Sequence, residues 1–193
     1  GSGAKVSSVK REFTQGSPQV TNNPFDLLIA GQGFFGISQP NGDMAFTRDG
    51  SFNVTAAGLI VNRNGYTVTP GFNIPPGVIS VSIGGDGTVE VFFNNQIEPT
   101  NLGQIPVFTF INPPGLKALG GGLYKATISS GTPAQNIAGQ NSSGVIQQGA
   151  LEASNVSIMV EMTDLIRAQR AYEMNSKVMG VADKMLQTVN SIR

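Results

Sequence analysis

Apolar and polar positions follow two different rules along this chain, and the change falls near residue 155. From Asn155 to Arg193 there is no Pro, and Gly180 is the one Gly. Large apolar side chains recur there every seven residues, with a second column beside them in the later half. The first column is Ile158, Leu165, Tyr172, Met179 and Leu186, and the second is Ala171, Val178, Met185 and Ile192. Because a seven-residue stripe is buried against a partner helix, the pattern predicts one long coiled-coil type helix over 155–193, with Ser154 or Asn155 as its N-cap.

The length of this helix decides how its stripe is used. A helix over 155–193 would be about 58 Å long. A compact body of the size of residues 25–134 is only about 35–40 Å across, so at least half of the stripe must be buried elsewhere. No earlier segment reads as a helix that could serve as the partner. We therefore predict that the stripe is a surface for self-assembly.

Before residue 155 the pattern is that of short strands and turns. Residues 1–24 read as an extended leader or linker, 25–134 as an irregular antiparallel β body with hairpins, and 135–154 as an extended return segment. Asn41-Gly42 predicts a two-residue type I′ hairpin turn, and Asn64-Gly65 predicts a further hairpin. Residues 113–131 read as irregular, with 120–122 as a flexible tip. The strands are predicted at 25–30, 34–38, 44–48, 51–54, 59–61, 66–69, 78–83, 88–93 and 104–111.

The composition narrows the chemistry. The chain has 12 basic and 12 acidic residues, no His and no Cys. A neutral, weakly charged chain lacks the basic patch of a nucleic-acid-binding protein, and it lacks the commonest acid/base, metal-binding and thiol groups. We predict no catalytic residue, cofactor or metal, no nucleic-acid partner and no membrane insertion. The first residues lack the apolar core of a secretory signal, and we expect the chain to begin within a longer protein.

One literal motif match is better explained by a turn. Residues 31–36 fit G-x-G-x-x-G after a predicted strand. Nucleotide binding by that motif requires a helix N-terminus that faces the pyrophosphate, whereas here another strand follows. We therefore interpret these glycines as a tight turn beside Phe34 and Phe35.

Three blocks of sequence, in the same order, resemble the bacterial flagellar rod and hook axial proteins. They are 23–35, 46–52 and the segment from Leu151 to Gln187, and the resemblance runs from about Val6 to the end of the chain. The short middle is similar to that of rod subunits, since a hook subunit would carry a much larger one. The motif residues expected in the core and turns are Phe25, Leu27, Gly31, Gly33, Phe34, Phe35, Phe46, Arg48, Asp49, Gly50 and Phe52.

This resemblance implies a function that the composition alone does not give. Members of the family polymerise helically into the hollow shaft that transmits motor torque to the hook across the periplasm. Their terminal helices pair as an inner coiled coil, and they are exported by the flagellar type III apparatus without a cleaved signal. The implied partners are further copies of the subunit, neighbouring rod and hook proteins, and the surrounding ring. The family's amino-terminal helix, the partner of the carboxyl-terminal one, has no counterpart here.

Two alternatives stay open at the level of sequence. One is a proximal rod or hook subunit of the same family. The other is a secreted glycan-binding β domain with a coiled-coil stalk, for which Tyr66, Tyr124, Asp26 and Asp49 would supply the binding groups.

Overall fold

A computed structural model of the chain describes residue 13, residues 15–153 and residues 158–190. The chain divides into two compact units, Gly1–Ala153 and Ser154–Arg193. The first consists mainly of antiparallel strands, and the second contains one helix. This confirms the predicted fold class, a β body with a carboxyl-terminal helix.

Sixteen strands are found among the described residues. They are β1 (Pro18–Val20), β2 (Leu27–Ala30), β3 (Phe34–Ser38), β4 (Met44–Thr47), β5 (Asn53–Val54), β6 (Ile60–Val61), β7 (Thr67–Val68), β8 (Val78–Ile83), β9 (Thr88–Phe93), β10 (Thr100–Gln104), β11 (Val107–Thr109), β12 (Lys117–Gly120), β13 (Leu123–Lys125), β14 (Ala134–Asn136), β15 (Val145–Gln148) and β16 (Ala150–Glu152). A single 3-10 turn, Pro113–Gly115, precedes β12. The helix, α1, spans Ile158–Asn190.

Strand β3 organises the largest sheet, which has nine strands. From Phe35 to Ser38 β3 pairs with β4 on one side. On its other side the first half pairs with β11 and the second half with β7. Strand β3 is apolar at nearly every position because both of its faces are covered: Phe35 and Ile37 enter one apolar cluster and Phe34 enters another.

Three smaller sheets complete the body. Strands β8, β9 and β10 form an antiparallel meander, β15 pairs with β2, and β1 pairs with β16. The last two pairings join segments more than a hundred residues apart in the chain. The leader and the return segment are thereby built into the sheet structure at β1, β15 and β16.

The interior contains two apolar clusters. The larger one lies under β2, β3, β7 and β9 and includes Phe35, Phe52 and Ile105. The smaller one is aromatic and is built from Phe34, Phe46, Phe108, Phe110 and Leu116. Its rings meet edge to face, for example Phe46 and Phe110 at a centroid distance of 4.9 Å. Such contacts add to the stabilisation that comes from burial alone.

The two Asn-Gly hairpins are formed, but the type I′ turn predicted for Asn41-Gly42 is wrong. The amide of Gly42 donates to the carbonyl of Gln39, so Pro40 and Asn41 are the central residues. Of the Asn-Gly pair, Gly42 alone has a positive φ, +84°. The turn is therefore a type I turn followed by a left-handed glycine, as favoured by Pro at the first central position. Gly65 closes its turn in the same way, by donating to Asn62.

The prediction of an irregular segment over 113–131 is also wrong in its middle. Strands β12 and β13 form a hairpin there, and β13 continues onto β4. The three glycines 120–122 all have positive φ, which turns the chain tightly between the two strands.

The helix α1 forms most of the span predicted for it. Its 33 residues correspond to a length of about 50 Å. The proposed caps Ser154 and Asn155, and the last residues from 191 on, lie outside the described residues. The described helices include none that is long and apolar enough to cross a membrane.

Gly50 is a point where the backbone leaves no room for a side chain. A Cβ there would overlap the carbonyl oxygen of Leu27, whose own amide donates to the carbonyl of Gly50 at 3.0 Å. We predict that Gly50→Ala lowers the free energy of unfolding of the body by about 3 kcal/mol or more. Gly42→Ala, where a Cβ meets nothing within 4 Å, is expected to cost only the about 1–2 kcal/mol of a left-handed residue. Urea denaturation of both variants measures the difference, and equal losses would contradict this account.

Candidate assembly site

The predicted stripe lies on α1 as a row of exposed apolar side chains. Its described members are between 64% and 77% exposed: Leu165, Tyr172, Val178, Met179, Met185 and Leu186. Ile158 is the first residue of the helix, and Ile192 lies outside the described residues. A contiguous apolar surface of this extent is typical of a protein interaction site.

The aromatic and aliphatic residues of the family motifs lie inside the body. Leu27, Phe35 and Phe52 belong to the large cluster, where the rings of Phe35 and Phe52 meet edge to face at 5.2 Å. Phe34 and Phe46 belong to the small cluster. Phe25 is partly buried and packs against the large cluster. These residues therefore build the body.

The motif glycines Gly31 and Gly33 form the bend between β2 and β3. Both have positive φ, +125° and +130°, a conformation that favours glycine. A Cβ on Gly31 would lie 2.7 Å from the Cα of Gly144, which leaves no space for a side chain. The G-x-G-x-x-G sequence is thus a bend between two strands, as the sequence analysis interpreted it.

Arg48 uses its N–H groups to bind both this bend and Glu152. Its Nη1 donates to the carbonyls of Gly31 and Gly33, each at 2.9 Å, and its Nη2 donates to the carbonyl of Ile29 at 3.1 Å. Its Nε and Nη2 lie 2.8 and 2.7 Å from Oε2 of Glu152. Both charged side chains are about 15% exposed, at 15% and 14%. A guanidinium suits this place because its planar fork offers five donors in fixed directions.

Glu152 extends the contact from the bend to the leader. Its Oε1 accepts from the amide of Gly16 at 2.7 Å, while the amide of Ala153 donates to the carbonyl of Ser17 at 2.9 Å. Strands β1 and β16 run antiparallel from there. The chain that enters the body at Gly16 and the chain that leaves it at Ala153 therefore lie side by side. We call the contact among Arg48, Glu152 and Gly16 the junction.

Sequence reasoning singled out Arg48 but missed its partner. Glu152 stood within a resembling block, yet nothing in its spacing pointed to a contact with a residue 104 positions earlier. Gly16 was only part of the predicted extended leader. The absence of a side chain lets the backbone of Gly16 lie this close to β16, since a Cβ at this position would collide with the carbonyl of Ala153.

The other charged motif residue, Asp49, has a local role. Its Oδ1 accepts from the amide and the hydroxyl of Ser51, at 3.0 and 2.7 Å, and so holds the turn around Gly50. Arg63 lies 3.7 Å from Asp49 at the surface. The charged forms of two further carboxylates, Asp43 and Asp86, are stabilised by hydrogen bonds. The hydrogen bond and the charge of Lys125 lower the pKa of Asp43. The backbone amide of Thr88, followed by its hydroxyl, lowers the pKa of Asp86.

The groups suggested for glycan binding are engaged within the body. Tyr124 packs edge to face on Phe13 at 5.2 Å, and Asp26 accepts from the side chain of Asn23 at 3.1 Å. Tyr66 packs against the large cluster. Among the residues that the structure describes, no three His, Cys, Asp or Glu side chains are grouped so as to hold a metal ion.

Comparison with known proteins identifies two family domains. Residues 28–91 match the D1 domain of the flagellar hook protein FlgE/F/G, and residues 147–192 match the carboxyl-terminal domain of the flagellar basal body rod FlgEFG proteins. The first range contains the motif residues from Gly31 to Phe52, and the second contains Glu152 and the whole of α1.

Curated relatives match along the whole chain. Flagellar basal-body rod protein FlgG is 43% identical in Borreliella burgdorferi, 42% in Caulobacter vibrioides and 40% in Buchnera aphidicola. Each alignment covers 100% of this chain and 74% of the relative. These matches do not favour the glycan-binding alternative. The chain belongs to the FlgE/F/G family of flagellar hook and basal-body rod proteins, and it is similar in particular to FlgG, the distal rod protein.

Proposed function

We propose that the protein is a structural subunit of the flagellar rod that polymerises helically into the hollow drive shaft between motor and hook. The observation that carries the proposal is the exposed stripe on α1, in a chain whose relatives are basal-body rod proteins. In this role it has no catalytic activity and binds no cofactor. Its partners are copies of itself, the neighbouring rod and hook proteins and the surrounding ring, and it reaches the periplasm without a cleaved signal peptide.

The stripe supports a coiled-coil contact because its chemistry suits burial. Leu, Met, Val and Tyr side chains gain about 1.5–3 kcal/mol each when they are moved from water into an apolar interface. Six such side chains of the predicted stripe are exposed between Leu165 and Leu186 on α1. This is more than the scattered apolar residues of an ordinary surface, and it favours pairing with another helix.

The junction supports a partner from the amino-terminal side of the subunit. At Gly16 and Ala153 the entering and leaving chains are adjacent, and they run in opposite directions along β1 and β16. Segments that continue from such a point begin close together, which lowers the entropic cost of pairing them. The proposed inner coiled coil joins α1 to an amino-terminal helix in this way.

The ion pair at the junction would then anchor the proposed shaft subunit. Arg48 links Glu152, in the last strand before the helix, to three carbonyls of the β2–β3 bend. Force that passes between helix and body must cross this part of the chain. A partly buried, fully hydrogen-bonded pair suits that task, since it resists displacement of β16 from the body.

Charge placed on the stripe tests the proposed polymer. We predict that Leu165→Asp plus Leu186→Asp abolishes polymerisation, because the two carboxylates on each α1 would be desolvated where α1 packs against its partner helix. The thermal transition of the β body is expected to stay nearly unchanged. Electron microscopy and light scattering of concentrated protein measure polymer, and circular dichroism measures the body.

A matched control moves each change one residue along α1. Ile166→Asp plus Gln187→Asp adds the same charge about 100° around the helix from the stripe. This control is expected to polymerise like the unsubstituted protein. Two results would contradict the proposal: full-length unsubstituted protein that stays monomeric at high concentration, or a large loss of body stability in the stripe variant.

The role of Arg48 is tested by a substitution that keeps the positive charge and removes the planar guanidinium. Arg48→Lys keeps the charge but places one ammonium where five directed N–H groups stood, so we predict a loss of about 2–4 kcal/mol in unfolding free energy. Arg63→Lys is the matched control, because Arg63 is 68% exposed, and a change within about 0.5 kcal/mol is expected. Urea denaturation compares them, and similar values for both variants would refute the anchoring role of Arg48.

A further inference from the structure

Three long stretches of the body contain no charged residue. They are 64–85, 99–116 and 126–151, in a chain with 24 charged residues among 193. Strand β11 lies in the second stretch and β14 in the third, and the two strands pair with each other, from Val107 opposite Asn136 to Thr109 opposite Ala134. The loop after β11 and the loop before β14 therefore come together at one end of this pair.

These two loops present two isoleucines to solvent. Ile111 is 93% exposed and Ile128 is 103% exposed. The loops are tied together, since the amide of Asn112 donates to the carbonyl of Ser130 and its side chain donates to the carbonyl of Ser129 at 2.8 Å. The hydroxyl of Thr127 donates to the carbonyl of Gly115 at 2.7 Å. We call this hydrogen-bonded tip, with Ile111 and Ile128 at its surface, the knob.

A concave surface lies beside another sheet of the same body, the one formed by β8, β9 and β10. A groove of about 290 Å³ lies between the turn before β8, strand β8 itself and the start of the motif region. Its side chains are apolar except for Ser80, and none is charged. The lining residues are Pro24, Phe25, Val54, Ile74, Pro75, Gly77, Val78, Ile79, Ser80 and Val81. Ile79 at its rim is 63% exposed.

We propose that the knob of one copy inserts into the groove of a second copy, as a contact between β bodies. The inference rests on the proposed rod function and names a surface for it outside α1. A protrusion and a groove at different places on one body make a heterologous contact, and repetition of such a contact builds an open helical polymer. Two knobs facing each other would bury little area, because both are convex.

The lack of charge on both surfaces supports a second copy as the occupant. The cores of protein interfaces are depleted of charged residues and are more apolar than the rest of the surface. Knob and groove share this character, so neither leaves a desolvated charge in the other. Ile97 is equally exposed, at 101%, but it stands beside Glu98 and outside the uncharged stretches. It therefore serves as the control position.

Cross-linking tests the contact directly, because the chain has no Cys. In Ile128→Cys plus Ile79→Cys, a short bis-maleimide added to assembled protein is expected to give a ladder of covalent oligomers on a denaturing gel. The matched control, Ile97→Cys plus Ile79→Cys, is expected to give at least about tenfold less product per assembled subunit. Equal ladders from both pairs, or no ladder from the first pair in polymer, would overturn the proposal.

Charge substitutions give a second, independent readout. Ile128→Asp and Ile79→Asp are each expected to reduce polymer by about tenfold or more, with unchanged thermal midpoints because both side chains are exposed. A mixture of the two variants is expected to form dimers and no longer species, since one intact knob can still meet one intact groove. A purely monomeric mixture, or variants that polymerise like unsubstituted protein, would overturn the knob and groove while leaving the rod function intact. Unsubstituted protein that never polymerises overturns both.

Discussion

The hydrogen bonds of Arg48 are the constraint on which the body depends. The bend between β2 and β3 needs glycines at positive φ, and it turns the carbonyls of Ile29, Gly31 and Gly33 toward one point. Unpaired carbonyls at a partly buried point would be costly, and a guanidinium satisfies all three at once. The cation in turn requires a counter-charge, and Glu152 supplies it from a strand 104 residues later in the chain. Arg48 thus fixes the bend and the return strand β16, and Oε1 of Glu152 fixes the leader at Gly16.

The position of β3 explains why this point matters for the whole body. Three strands pair with β3, and its side chains supply both apolar clusters, Phe35 and Ile37 to the large one and Phe34 to the aromatic one. Alternate residues of a strand point to opposite faces, so a shift of the bend by one residue would exchange the two sets. By fixing the carbonyls just before β3, Arg48 also fixes which phenylalanine enters which cluster.

Local signals made much of this fold predictable from sequence. The strands at 34–38, 78–83 and 88–93 were predicted with the bounds that the structure has, because each combines apolar or alternating residues with Gly-rich turns. The turn type at Asn41-Gly42 was missed because Pro40 moves the turn back by one residue. The pairing of β1 with β16, and hence the role of Glu152, was not predictable, since it joins segments of ordinary composition more than a hundred residues apart. The exposure of the two isoleucines of the knob was not predictable either, because the sequence around an isolated Ile in a loop does not indicate whether its side chain is buried.

The exposed apolar surfaces of this protein are not a sign of an incomplete core. Within the part of the chain that the structure describes, no buried side-chain nitrogen or oxygen lacks a hydrogen-bond partner, and the large cluster includes many fully buried side chains. A body that satisfies its interior in this way has no need of Ile111, Ile128 or Ile79 for its own stability. The low charge of the chain also favours contact between copies, since little self-repulsion opposes it.

The stripe on α1 and the knob differ in stiffness. The stripe offers flexible Met and Leu side chains that adapt to a partner. The knob offers branched side chains on loops that hydrogen bonds already fix. An adaptable stripe suits a continuous helical contact, and a rigid knob suits a contact that sets the spacing from one copy to the next.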